Sequence, residues 1–168
     1  MPPWLSSSAW VGSHGATGWL KSHDTQNDYA FLVVGPRTIN GKVTQIQDVT
    51  GGNQLGNAAV AGETVTVPAY ARGSDDQPLT CTIKVYLDDG FPAFNCNPYP
   101  GGTSGSPWLV STAHGDVVVG VIGGLHQGGC HTYTSYSSAF STTTWRTYAS
   151  SAEGLPTTPF PGSGSNGC

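Results

Sequence analysis

The sequence predicts an all-β fold, and three observations carry that reading. Residues 63–70 and 79–87 alternate apolar and polar side chains with the period of a half-buried strand. Residues 117–122 form a valine-rich run of the length and composition of a buried strand. The composition points the same way: 24 glycines, abundant Ser and Thr, one Met and only 10% charged residues suit an extracellular β-protein with many tight turns.

At 168 residues the chain can bury a core as one domain, or as two small barrels sharing an interface. A net charge of −4 with six Lys plus Arg leaves no basic patch, which excludes nucleic acid as an expected partner. No apolar run approaches the roughly 18 residues a membrane-spanning helix needs. Cys81, Cys96, Cys130 and Cys168 form no Cys-x-x-Cys or His-rich cluster, so neither metal nor cofactor is expected.

Residues 1–27 are mixed. Trp4, Trp10 and Trp19 fall in a Ser/Gly/His-rich stretch without clear period and read as core or rim residues. An apolar strand at 29–34 ends at Gly35-Pro36, and residues 35–48 read as a crossing segment before a loop at 51–53. The strand at 63–70 is expected to break at Pro68, with a polar loop over 71–78. Residues 79–87 and 91–96 read as a hairpin around Asp88-Asp89-Gly90. Folding it about residues 88 and 89 sets Cys81 opposite Cys96, the first choice of pairing, and leaves Cys130 alone or joined to Cys168. Strands follow at 108–111 and 117–122, with a turn at His114-Gly115-Asp116 between them. A glycine-rich segment, 123–130, precedes a final strand at 133–140. Ser141 is the expected N-cap of a helix through about residue 151, with Trp145 and Tyr148 or Ala149 inward. Residues 155–168 read as a Pro/Gly/Ser tail or linker, and no internal repeat is present.

The chemistry concentrates in Gly101-Gly102-Thr103-Ser104-Gly105-Ser106-Pro107. Gly102 admits a backbone conformation that can aim the N–H groups of residues 102 and 104 at one point, an oxyanion hole. Gly105 and Ser106 leave room for substrate, and Pro107 opens a strand without needing a donor. A plain Gly/Ser turn is the competing reading.

This loop resembles the nucleophile loop of the chymotrypsin-like (trypsin-like) serine peptidases, and the small residue before Pro107 is similar to the bacterial glutamyl-endopeptidase branch. The stretch from Asn27-Asp28 to Val34 resembles the segment in which that family's buried acid opens a strand, and Asp28 lies 76 residues before Ser104. The likeness spans roughly residues 17–150. It implies a double antiparallel β-barrel with a short C-terminal helix: residues 1–48 as the remnant of a first barrel and the crossover, 49–152 as the second barrel, and 153–168 as the tail. Ser104 is then the nucleophile, Asp28 the acid of the triad, and Gly102 with Ser104 the oxyanion hole. The family's general-base His comes several tens of residues before the acid, and counting back that far passes Met1. His14 and His23, 14 and 5 residues before Asp28, lack the family's strand-and-Cys setting and read as loop histidines. The chain is therefore expected to start after the catalytic His and to be inactive alone.

Specificity is implied in part. Where trypsin carries its pocket Asp, six residues before the serine, this chain has Pro98, which argues against cleavage after Arg or Lys. Thr103 replaces the acid that pairs with a freed N-terminus in animal members, so activation of that kind is not expected. Residues 125–129 look like the Ile-His-Trp-Gly-Gly segment of glutamyl endopeptidases, which implies that His126 donates to a substrate carboxylate; Gln127 or His131 serve if the alignment shifts. Gly123 and Gly124 would let a peptide substrate pair along the strand, and Tyr99 is grouped with them as substrate-binding. The expected partner is a polypeptide substrate, the expected location extracellular, and the complete protein a monomer. Two rival readings are a non-catalytic relative that binds peptide and a secreted carbohydrate-binding β-module.

Overall fold

The computed structural model describes residues 10–72, 77–97, 99–155 and 168. The chain opens with β1 (Trp10–Gly15), the short helix α1 (Thr17–Ser22), a 3-10 turn at Thr25–Asn27 and β2 (Ala30–Val34). The hairpin β3 (Arg37–Ile39) and β4 (Lys42–Thr44) leads through α2 (Gln47–Thr50) to β5 (Gln54–Leu55). Then come β6 (Thr64–Ala69), β7 (Leu79–Lys84), β8 (Tyr86–Asp88), β9 (Phe91–Asn95), β10 (Pro107–Thr112) and β11 (Gly115–Val121). A 3-10 turn at Leu125–Gly128, β12 (Thr134–Tyr136) and α3 (Thr142–Ala152) complete it.

A five-stranded sheet, ordered β5-β11-β10-β6-β7, is the largest layer, and a three-stranded sheet, β12-β9-β8, lies against it. Two-stranded pairs, β1-β2 and β3-β4, form the rest. The core sits between the two larger sheets because alternation in β6 sends Val65, Val67 and Ala69 inward. They meet Trp108 and Phe94, both fully buried, whose rings stand edge-on at 4.9 Å. The all-β expectation is met, but the sheets do not close into barrels. At the end of β11 the Val121 N–H donates to the Ser137 hydroxyl at 3.1 Å and the Gly123 N–H to the Tyr136 carbonyl at 3.0 Å, the bonds that tie the large sheet to β12.

Several local expectations change. Residues 35–48 contain a hairpin rather than a plain crossing: Asn40 and Gly41 take φ of 51° and 78°, the left-handed pair that a tight two-residue turn needs. Pro68 does not end its strand: β6 runs through it to Ala69 and stays paired with β7, Pro68 opposite Thr80. The hairpin of β8 and β9 turns on Asp89-Gly90, pairing Asp88 with Phe91, while β7 leaves it to pair with β6. Cys81 and Cys96 are nevertheless bonded, and the bridge staples the two large sheets together instead of spanning one hairpin. Cys130 is bonded to Cys168. The final strand is short, Thr134–Tyr136. Ser141 does cap α3, accepting from the Thr143 N–H while the Thr144 hydroxyl accepts from its own N–H. Small Thr144 and Ser151 are the buried positions of that helix; Trp145 and Tyr148 stay exposed. Trp4 lies outside the described residues.

The Cys81–Cys96 bridge closes a loop of 15 residues. Replacing both cysteines with serine is expected to lower stability by about 3 kcal/mol, read as a shift in the denaturant midpoint under oxidising conditions.

Candidate functional site

Ser104 stands at the tip of a loop built by two left-handed glycines, Gly102 with φ of 101° and Gly105 with φ of 81°. A side chain at Gly102 would collide with the backbone nitrogen of Arg72, whose N–H donates to the Gly101 carbonyl at 3.0 Å. The base of the loop is fixed by buried Thr103, whose hydroxyl donates to the Pro100 carbonyl at 2.9 Å. Ser104 is exposed. Among the described residues, no acceptor takes the N–H of Gly102 or of Ser104.

Asp28 follows the 3-10 turn at Thr25–Asn27 and precedes buried Tyr29 at the mouth of β2. Its Oδ2 accepts the Gly124 N–H at 3.0 Å. Burial raises the acid above its ordinary 3.8, and the Gly124 bond opposes that in part. A clamp from the second half of the chain holds the acid's loop. The Ser138 hydroxyl donates to the Thr25 carbonyl at 2.8 Å, and the Ala139 N–H donates to the Gln26 side chain at 3.2 Å.

The two loops meet on one short run of backbone. The Gly105 N–H donates to the Ile122 carbonyl at 2.8 Å, and the Ile122 N–H returns a bond to the Ser106 carbonyl at 3.0 Å. Two residues further, Gly124 holds Asp28, and Gly123 is packed so that a Cβ there would lie 3.0 Å from the Asp28 carbonyl oxygen. Two residues of chain span at most about 7 Å. The serine loop and the acid are thus anchored on one short run of backbone.

No histidine bonds to either. Among the five histidines, His14 is a buried residue of β1 rather than a loop residue, opposite Phe31 in β2. His23 caps α1 with φ of 52° and packs edge-on against Trp19. His114 lies at the turn between β10 and β11, and His131 stacks on Tyr133. His126 and Gln127 are both left-handed, at φ of 52° and 49°. The His126 ring sits 6.2 Å from that of Tyr136 and beside the Cys130–Cys168 sulfurs, which as a disulfide are not thiolate ligands. The segment expected to continue as a strand turns instead: β11 ends at Val121, and the Gln127 N–H closes on the Gly124 carbonyl at 2.9 Å. Tyr99 is buried, edge-on to Phe94, with its hydroxyl donating to the Val67 carbonyl at 2.6 Å.

Gln26, Arg72 and Ser138 carry no motif, and sequence reasoning passed over their part in holding the two loops. Each acts on a partner distant in the chain, where local pattern gives no signal.

No protein-family model and no curated protein matches the sequence. Solved structures do. A thermostable serine protease, AL20, from an extremophilic microorganism superposes with a TM-score of 0.66 at 20% identity, over 84% of this chain and 68% of that one. This chain has a chymotrypsin-like protease fold. The NS6 protease of murine norovirus matches more distantly, with a TM-score of 0.44 at 14% identity, over 58% of this chain and 61% of that one. Within this fold the Gly102–Ser106 loop and Asp28 belong to different halves of the chain, joined here through residues 122–124.

Because burial raises the acid, its ionisation opposes folding. The stability it contributes is full below 3.8 and is lost as pH rises through the higher folded value. Asp28→Asn keeps an acceptor for Gly124 and is expected to match the parent in acid but to be more stable at neutral pH. Denaturant midpoints in the two buffers check this.

Proposed function

We propose that the chain is the nucleophile-bearing part of a serine endopeptidase that works through an acyl-enzyme. The observation that carries the reading is the anchoring of the Ser104 loop and the Asp28 carboxylate on the same run, Ile122-Gly123-Gly124. In the reaction, the Ser104 hydroxyl oxygen attacks the substrate carbonyl while an imidazole between Ser104 and Asp28 takes its proton. The free N–H groups of Gly102 and Ser104 stabilise the oxyanion. As the intermediate collapses, the imidazole gives the proton to the leaving amine, and water then releases the acyl group by the same steps in reverse order. Asp28 holds the imidazole in the required tautomer.

None of the chain's own histidines hydrogen-bonds Asp28, so the proposal assigns this chain alone a rate about 10⁴ to 10⁶ below that of a complete triad. A protein with two disulfides suits the oxidising extracellular space, where we place its action. We also propose His126 as the donor to an acidic substrate side chain, the Glu/Asp preference of the glutamyl-endopeptidase branch. Tyr99, sealed in the core, takes no part in substrate contact.

The carbohydrate-binding alternative calls for coplanar exposed rings. Around Trp145, Tyr148, Phe31 and Tyr29 the neighbouring rings instead meet at 61° to 89°, which offers no flat platform.

Added imidazole can stand in for the base. With it, activated esters of N-acyl-glutamate are expected to acylate Ser104, detected as a mass adduct mapped to that residue. Esters of N-acyl-lysine should react more slowly, and His126→Ala should erase the difference. Equal labelling of Ser104→Ala, or an adduct elsewhere, would contradict the proposed nucleophile.

A further inference from the structure

A second cleft lies away from Ser104, between α3 and the segment joining β1 to α1. Its volume is about 480 Å³, and it is lined by His14, Gly15, Thr17, Thr143, Arg146, Thr147, Ser150 and Leu155. The four helix residues fall at i, i+3, i+4 and i+7, so α3 turns one continuous polar face into the cleft.

We propose that this cleft binds a small oxyanion, a phosphate or carboxylate headgroup. Its polar side chains are donors in excess. Arg146 brings a guanidinium that makes no ion pair among the described residues, and the hydroxyls of Thr17, Thr143 and Ser150 have no partner there either. Thr147 is already committed, donating to the Thr143 carbonyl at 2.9 Å.

The independent observation is His14. It is 4% exposed, it lines the cleft, and its ring takes no hydrogen bond from any described residue. Without a protein partner its ring nitrogens are left for whatever occupies the cleft, and in either charge state an imidazole offers at least one N–H. No carboxylate lines the cleft; Glu153, just past α3, is exposed and outside it. In a chain of net charge −4, a cavity lined by a cation, an imidazole with no protein partner and free hydroxyls is complementary to an anion. Leu155 gives one apolar wall, room for an organic group carried by the headgroup.

The test titrates the isotope-labelled full chain with inorganic phosphate and, separately, with acetate, following the amides of His14, Thr143, Arg146 and Ser150. Saturable shifts at these residues with either anion support the site; phosphate alone assigns a tetrahedral headgroup, and both together a general oxyanion. Arg146→Gln, a surface change that leaves the fold intact, is expected to weaken binding about tenfold or more through loss of a charge-assisted bond, with Arg146→Lys intermediate. Lys42→Gln, on the β3–β4 hairpin, is expected to leave it unchanged. No saturable shift with either anion overturns the proposal. So does equal weakening by Arg146→Gln and Lys42→Gln, which would mean diffuse attraction to the surface.

Discussion

Three residues of backbone, Ile122-Gly123-Gly124, hold the Ser104 loop and the Asp28 carboxylate on one run of chain. Ile122 exchanges two hydrogen bonds with the nucleophile loop, and Gly124 gives its N–H to the Asp28 carboxylate. Glycine is required at Gly124 and gives the tightest fit at Gly123. At Gly123 a side chain would press on Asp28, and at Gly124, with φ of 77°, it would meet the backbone of Ser137 and Ser138. The run lies at the end of β11, whose own position is set by pairing with β10 and by the core around Trp108. Packing of the large sheet is therefore transmitted to the site through a few backbone bonds.

The same arrangement sets up a tension at Asp28. Partial burial disfavours the charged carboxylate, while triad chemistry needs it ionised to stabilise an imidazolium. The Gly124 N–H offsets part of that cost by favouring the charged form. The clamp of Ser138 and Gln26 on the 3-10 turn keeps the carboxylate from swinging out to water. Under the proposed mechanism, stability is conceded at the point where a fixed charge is needed.

Much of this was legible in the sequence because it is local. Alternation gave β6 and β7, the Ser141 cap gave α3, and Gly102 signalled the left-handed backbone it adopts, while the left-handed Gly105 was read only as space. The Cys81–Cys96 pairing was right on the wrong geometry, since strand pairing moved β7 into another sheet. Asn40-Gly41 carried a hairpin signal that was read past. What could not be read depends on distant partners: the side-chain join at Ser137, the turn after Gly124 and the burial of His14 and Tyr99. A tyrosine beside a catalytic loop looks the same in sequence whether it faces substrate or core.

The central claim is that the Asp28 carboxylate is held by the Gly124 amide beside the serine loop. The pH dependence of the Gly124 amide proton resonance measures that contact directly. The account expects a large downfield position at neutral pH and one transition with a midpoint above 3.8, absent in Asp28→Asn. A Gly124 resonance that does not move with pH, or moves equally in Asp28→Asn, would contradict it.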